Sequence, residues 1–179
     1  SERLPGKVLK PFPFPNGEQV LYIIVKQLKK IDRKVIVATS KNKENDALAS
    51  FCQKNKIECF RGSEDDVLSR FIEIQNKFHF DYILRFTADN PIIDTEILSE
   101  FIEYHIIRKV DYSATNGLPL GMNFEIFNGK SILLSEKCVK SDADKEHVTV
   151  ALKRESIFTK HFYEIETGLS NLRLTVDTP

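Results

Sequence analysis

The stretch KVIVAT, residues 34–39, decides how the chain is read. It is a short β-branched run bounded by charged and polar residues, the pattern of a parallel strand buried on both faces. Ahead of it, residues 18–30 set Val20, Ile23, Ile24, Gln27 and Leu28 at helical spacing. Behind it, residues 44–55 put Ala47, Leu48, Phe51 and Cys52 on one helical face. IECFRG (57–62) reads as a second strand, and residues 64–78 as a helix carrying Val67, Leu68, Phe71, Ile72 and Ile74. Ser63 is placed to cap that helix, with Glu64, Asp65 and Asp66 at its positive end. DYILRFTAD (81–89) gives a third strand that runs into a polar loop, and residues 94–108 a helix capped by Asp94.

Helices and strands alternating in this way argue for an α/β architecture with a mostly parallel sheet. Beyond residue 108 the pattern changes. DYSAT, MNFEIF, SIFTKHFYEI and LRLTVD are strand-like, with one or two helices expected over residues 129–154. The sheet is therefore expected to be mixed, with an antiparallel portion. Ligands of open α/β sheets bind beyond the carboxyl ends of the strands. That rule points to Thr39 and Ser40, to residues 61–63, to residues 87–90 and to whatever follows Val176.

Composition narrows the function classes. The 179 residues suit one domain, and apolar residues at 41% with charged residues at 29% are globular values. Lys plus Arg equals Asp plus Glu at 26 each, which argues against a general nucleic-acid or anionic-membrane surface. No apolar run approaches the roughly 18 residues that span a bilayer, and no secretory signal is visible. Three cysteines, Cys52, Cys59 and Cys138, without a CxxC spacing give no zinc pattern and suit a reducing, cytoplasmic setting. His79, His105 and His161 read as structural, and Phe12 and Phe14 as core or interface anchors.

Two features could carry chemistry. Asp89 and Asp177 each end a strand-like run with a proline close behind. Two converging carboxylates suit Mg²⁺, which completes its shell with water and phosphate oxygens. Asp ahead of Asn-Pro or Thr-Pro is equally a turn former, and spacing leaves both readings open. RLPGK (3–7) sets Arg3 and Lys7 around a Pro-Gly turn, a loop able to meet phosphates without being a Walker motif.

Taken in order, SERLPGKVL, VIVATS, FRGSEDDVLSRF, RFTADNPIIDTEIL, EHVT and LRLTVDTP resemble the spore-coat polysaccharide type of cytidylyltransferase. That family is related to the CMP-3-deoxy-manno-octulosonate synthetases and the acylneuraminate cytidylyltransferases. The resemblance implies a three-layer α/β/α, glycosyltransferase-A-like fold with a mixed, mostly parallel sheet. It implies Mg²⁺-dependent transfer of CMP from CTP to a hydroxyl of an acidic or amino sugar in polysaccharide or glycan synthesis, and a homodimer formed through residues 120–165. Arg3 and Lys7 match the loop that grips the triphosphate. Thr39, Gly62 and Ser63, with Asp66 and Arg70 nearby, match the region that holds base and ribose, and Arg85 lies on the strand leading to the metal loop. Asp89 matches the metal-binding aspartate of the GD-x-P loop, and Asp177 the second ligand. Gly121, Glu125 and His147 fall where the sugar pocket is expected.

The family's hydrophobic first strand, the QAR-like stretch after it and the closing helix are not in the sequence. Residues 1–179 are thus expected to form a single nucleotidyltransferase domain without them. Two other functions remain: a non-catalytic nucleotide-binding or assembly module of the same fold, and a glycosyltransferase that uses a nucleotide sugar. The RLPGK loop counts against the second.

Overall fold

Helix α1 (Val20–Leu28) is apolar at seven of its nine positions because it serves two cores at once. Val20, Ile24 and Leu28 lie on one line and enter one core, while Leu21 and Val25, a step round the helix, enter another. The computed structural model describes residues 6–176. In chain order the other elements are β1 (Pro11–Phe12), β2 (Glu18–Gln19), β3 (Ile36–Ser40), α2 (Asp46–Lys54), β4 (Glu58–Gly62), α3 (Val67–Phe78) and β5 (Tyr82–Arg85). They continue as α4 (Thr95–Arg108), β6 (Tyr112–Asn116), β7 (Glu125–Asn128), α5 (Gly129–Ser135), α6 (Asp142–His147), α7 (Val150–Arg154) and β8 (Lys160–Glu164). β1 and β2, the short antiparallel pair, precede α1.

β3 and β4 pair in parallel, Ile36 opposite Glu58 through Ser40 opposite Gly62. The larger sheet runs β5-β7-β6-β8, with β7 antiparallel to both neighbours and β8 parallel to β6. The expected antiparallel portion is therefore β7, wedged between β5 and β6. Its consecutive residues show the layers: Ile126 enters the core beneath α1 and α4, and Phe127 the core beneath α3, α5 and α7. Helices cover both faces of the sheet, giving α/β/α. Phe101, Phe124 and Phe127 are almost fully buried, each contributing about 1.5–3 kcal/mol by leaving water.

Between β3 and β5 the sheet is interrupted. Among the described residues β3 pairs only with β4 and β5 only with β7, so one edge of each faces the other across an apolar cleft of about 650 Å³. α1 and α4 contribute Leu21, Val25 and Ile102 to its walls, and α3 contributes Val67 and Phe71.

Several local expectations are corrected. The helix expected from residue 64 begins at Val67, because the Asp66 carboxylate caps it by accepting from the Ser69 N–H at 2.8 Å. Ser63 is not the cap: its hydroxyl accepts from the Asp66 N–H one turn earlier. Three α-helices, not one or two, fill residues 129–154. LRLTVD forms no ladder over its described residues, since only Arg173 bridges to Leu120. Phe12 and Phe14 are not core residues, Phe14 being 80% exposed. The histidines behave structurally: His105 is buried against Ser113 and Asn128, His79 ends α3 in the left-handed region, and His161 meets Tyr104.

Candidate active site

Lys7 follows a left-handed Gly6 (φ 66°), a conformation glycine adopts without steric cost, and opens a single 3-10 turn. That turn carries its ammonium to Asp89, with Nζ donating to Oδ2 at 2.8 Å. Their neighbours fix the pair: Val8 and Ala88 both pack in the core formed by α1, α2, β3 and β4. Burial alone would raise the Asp89 carboxyl, but hydrogen bonds from Lys7 and Thr87 outweigh it and hold it below its ordinary value. Asp89 is thus a carboxylate at neutral pH.

Arg3 and Asp177 lie outside the described residues. The residue before Asp177 is described: the Val176 N–H donates to the Asp89 carbonyl at 2.9 Å. The chain reaches that point by pairing with the loop after β6, Leu120 N–H to Leu172 and Leu174 N–H to Leu120. Gly121 makes the close approach possible. Its φ is 101°, and a Cβ there would stand 2.7 Å from Thr175 Cγ2 and 3.2 Å from Asn90 Oδ1. That Asn90 oxygen is buried without a hydrogen-bond partner.

Beside Asp89 opens a pocket of about 420 Å³ lined by Arg85, Thr87, Asn90, Gly121 and Glu125, among others. Arg85 and Glu125 are register partners across the β5–β7 ladder, and Arg85 Nη1 donates to Glu125 Oε2 at 3.0 Å. Tyr112 Oη donates to Glu125 at 2.7 Å, Thr149 Oγ1 lies 3.2 Å from both its oxygens, and Lys153 Nζ pairs with it. Burial would raise Glu125, yet Lys153, Tyr112 and Arg85 together keep it below the ordinary carboxylate range. Burial and the adjoining Glu125 charge push the Tyr112 phenol up, so it stays a neutral donor.

His147 does not join this pocket. It ends α6 exposed to solvent, and it is Thr149, two residues on, that touches Glu125. Lys153, Tyr112 and Thr149 escaped sequence reading. Lys153 sits in an ordinary charged helix end and Tyr112 in an ordinary strand, so only tertiary packing singles them out.

The third cluster lies at the ends of β3 and β4. Thr39 is buried opposite Arg61, and Gly62 closes β4 with the Arg70 side chain against it, where a Cβ would come within 2.7 Å of Arg70 Cγ. Arg70 Nη2 donates to the Glu64 carbonyl, while Nε is buried without a partner. Ser63 and Asp66 adjoin it but are engaged in the start of α3. The three groups lie at the carboxyl ends of β3 and β4, in the loop after β5 and around the start of β7. Among the described residues, no three His, Cys, Asp or Glu side chains cluster as a metal site. No described helix is long and apolar enough to cross a membrane.

The family model described as cytidylyltransferase matches residues 1–177. The chain belongs to the cytidylyltransferase family. It is 32% identical over 188 residues to the Bacillus subtilis spore coat polysaccharide biosynthesis protein SpsF, covering 99% of this chain and 77% of that one. It is 34% identical over 181 residues to an uncharacterized Methanocaldococcus jannaschii protein, covering 99% and 74%. Among solved structures, a cytidylyltransferase from Leptospira borgpetersenii superposes with a TM-score of 0.86 at 26% identity, over 99% of this chain and 77% of that one. CMP:2-keto-3-deoxy-manno-octonic acid synthetase, solved with CTP, superposes at 0.72 and 13% identity over 100% and 89%, a likeness of fold. As a family member the chain is a CTP-dependent nucleotidyltransferase.

Proposed function

We propose that this cytidylyltransferase moves CMP from CTP to a hydroxyl of an acidic or amino sugar, releases pyrophosphate and requires Mg²⁺. The observation that carries the reading is the Lys7–Asp89 ion pair on the rim between the sugar-sized pocket and the ends of β3 and β4. In the reaction, the sugar oxygen forms a bond to the α-phosphorus as the bridging bond to the β-phosphate breaks. The electron pair leaves with pyrophosphate and the hydroxyl proton passes to solvent.

Such a displacement needs alignment and charge neutralisation more than covalent help. Lys7, with Arg3, neutralises the departing pyrophosphate, exchanging its bond to Asp89 for phosphate oxygens. Thr39, Gly62, Ser63, Asp66 and Arg70 hold base and ribose, while Arg85, Gly121 and Glu125 shape the sugar side. An ionised, half-buried carboxylate fits Mg²⁺, which takes one or two such ligands and fills its shell with water and phosphate oxygens. Asp89, with Asp177, would hold it, and the ion supplies positive charge against the transferring phosphate. His147 is a weaker member of the sugar site than Thr149, being exposed where Thr149 is buried against Glu125. We also propose a homodimer, supported by Ile157 and Phe162, which are 61% and 44% exposed on and beside β8.

Pyrophosphate release from CTP and Mg²⁺ over a sugar panel tests the reaction. Turnover abolished by EDTA and restored by Mg²⁺ is expected. Equal turnover with UTP or GTP would overturn the base assignment, and release of free nucleotide without pyrophosphate would indicate a glycosyltransferase. Sedimentation of the purified chain as a monomer at micromolar concentration would overturn the dimer.

A further inference from the structure

Two residues of the loop after β5 hold the Asp89 carboxylate from within its own turn. Asn90 Nδ2 donates to Thr87 Oγ1 at 2.7 Å, and the Asn90 N–H reaches the Thr87 carbonyl at 3.4 Å, closing the turn around Asp89. The Thr87 hydroxyl in turn hydrogen-bonds the Asp89 side chain, whose Oδ2 also receives Lys7 Nζ at 2.8 Å. Thr87 is exposed to solvent, so its side chain adds little packing to the loop.

A hydroxyl has a single hydrogen to give and two lone pairs with which to receive. The Asn90 amide N–H occupies one of those lone pairs, which leaves the hydrogen for Asp89. Turned the other way, the amide would set Oδ1 against Thr87 and claim that hydrogen. It is not turned: Oδ1 is buried and, among the described residues, has no hydrogen-bond partner. Gly121 leaves it room, since a Cβ there would come within 3.2 Å of the oxygen. An unpaired buried amide oxygen is unfavourable. The loop thus gives up stability at Asn90 while the hydroxyl stays directed at the carboxylate.

We infer that Thr87 is a positioning residue for Asp89, oriented in turn by Asn90, and that the pair sets the affinity of the site for a divalent cation. This rests on the reading of Asp89 as a Mg²⁺ ligand. When Lys7 turns to phosphate oxygens, as the proposed reaction requires, Thr87 is the side-chain donor that stays on Asp89. It then fixes the direction of the carboxylate while the lysine is occupied elsewhere.

The test measures Mn²⁺ binding without nucleotide, from the loss of the free-ion electron paramagnetic resonance signal. Wild type, Asp89→Asn, Thr87→Val, Thr87→Ser and Asn90→Ala are compared, each with a thermal melt. Thr87→Val is expected to weaken Mn²⁺ binding about tenfold, the worth of one hydrogen bond to a charged group. Thr87→Ser should restore it. Asn90→Ala is expected to weaken binding by a smaller factor with no fall in Tm, whereas an amide with a purely structural role would lower Tm and leave the metal alone. Affinity unchanged in Thr87→Val, or a loss that Thr87→Ser does not restore, overturns this inference while a weakened Asp89→Asn leaves the metal reading standing. If Thr87→Val does not fold, Asn90→Ala decides in its place, unchanged affinity again overturning the inference. No Mn²⁺ binding by wild type, or unchanged binding in Asp89→Asn, removes Asp89 from the metal site and overturns this inference with it.

Discussion

Lys7 and Asp89 stand 82 residues apart in sequence and 2.8 Å apart in space, with the lysine side chain 12% exposed and the aspartate 26%. Under the proposed reaction, this pair lies where the triphosphate and Mg²⁺ are received. Lys7→Met removes the charge opposite the leaving group, and loss of one such donor costs about 10²–10³ in kcat. Asp89→Asn removes the ionised oxygen and should make residual activity insensitive to Mg²⁺. Both are checked by pyrophosphate release, with circular dichroism melts to show the fold retained. A Mg²⁺ response intact in Asp89→Asn would remove this residue from the metal site.

Gly121→Ala is expected to loosen the C-terminal segment rather than the sheet. The new Cβ meets Thr175 and the Leu174 carbonyl, and a φ of 101° is strained for any side chain. Such strain costs on the order of 1–3 kcal/mol. Limited proteolysis should cut the variant earlier within residues 166–176, and activity should fall with the Val176–Asp89 contact.

Acid stability depends on Asp144. Its side chain is inaccessible to solvent, accepts from Arg154 at 2.7 Å and from the Lys140 N–H at 2.7 Å, and closes a capping box with Ser141. Arg154 and those N–H groups hold its carboxyl below the ordinary value. A group depressed in the folded state stabilises above its unfolded pKa, and that stability disappears as pH falls through the folded pKa. Asp144→Asn should therefore lower Tm at pH 7, with the gap from wild type closing below the ordinary carboxylate range. A gap constant from pH 7 to pH 3 would show that Asp144 acts through shape alone.

The thiols should react in order of burial. Cys52 is fully buried, and that burial, reinforced by Cys59, pushes its thiol up to about 12. Cys59 is half-buried and also raised by burial. Labelling of native protein with an aromatic disulfide at pH 8 is expected to modify Cys138 first and Cys52 only on unfolding. Fast modification of Cys52 would mean that the core beneath α2 opens readily.

The apolar cleft between β3 and β5 should bind an apolar dye in the folded state. Fluorescence enhancement of ANS below the melting temperature, reduced by Val37→Gln on its wall, is the expected outcome. No enhancement would mean that the two edges close on each other in solution.

By itself the sequence determined what local periodicity and end chemistry control. KVIVAT supplied a strand because β-branched residues fit a pleated, buried surface, and α1, α2, α3 and α4 followed from apolar spacing, with Asp94 as the expected cap. The ordered motifs determined the family and singled out Lys7, Arg85, Asp89, Gly121 and Glu125. Boundaries were less legible, as at Val67, because Ser63 and Asp66 offer equivalent capping chemistry and only backbone geometry selects one.

Tertiary structure alone decided the rest. That Arg85 faces Glu125 follows from β5–β7 register, which no local pattern encodes. That Lys153 and Thr149 reach the same carboxylate while His147 turns to solvent depends on how α6 and α7 pack over β6 and β7. Residues far apart in sequence meet only when the chain has paid the entropy of closing the loops between them, and a side chain's chemistry at such a meeting is set by its neighbours in space.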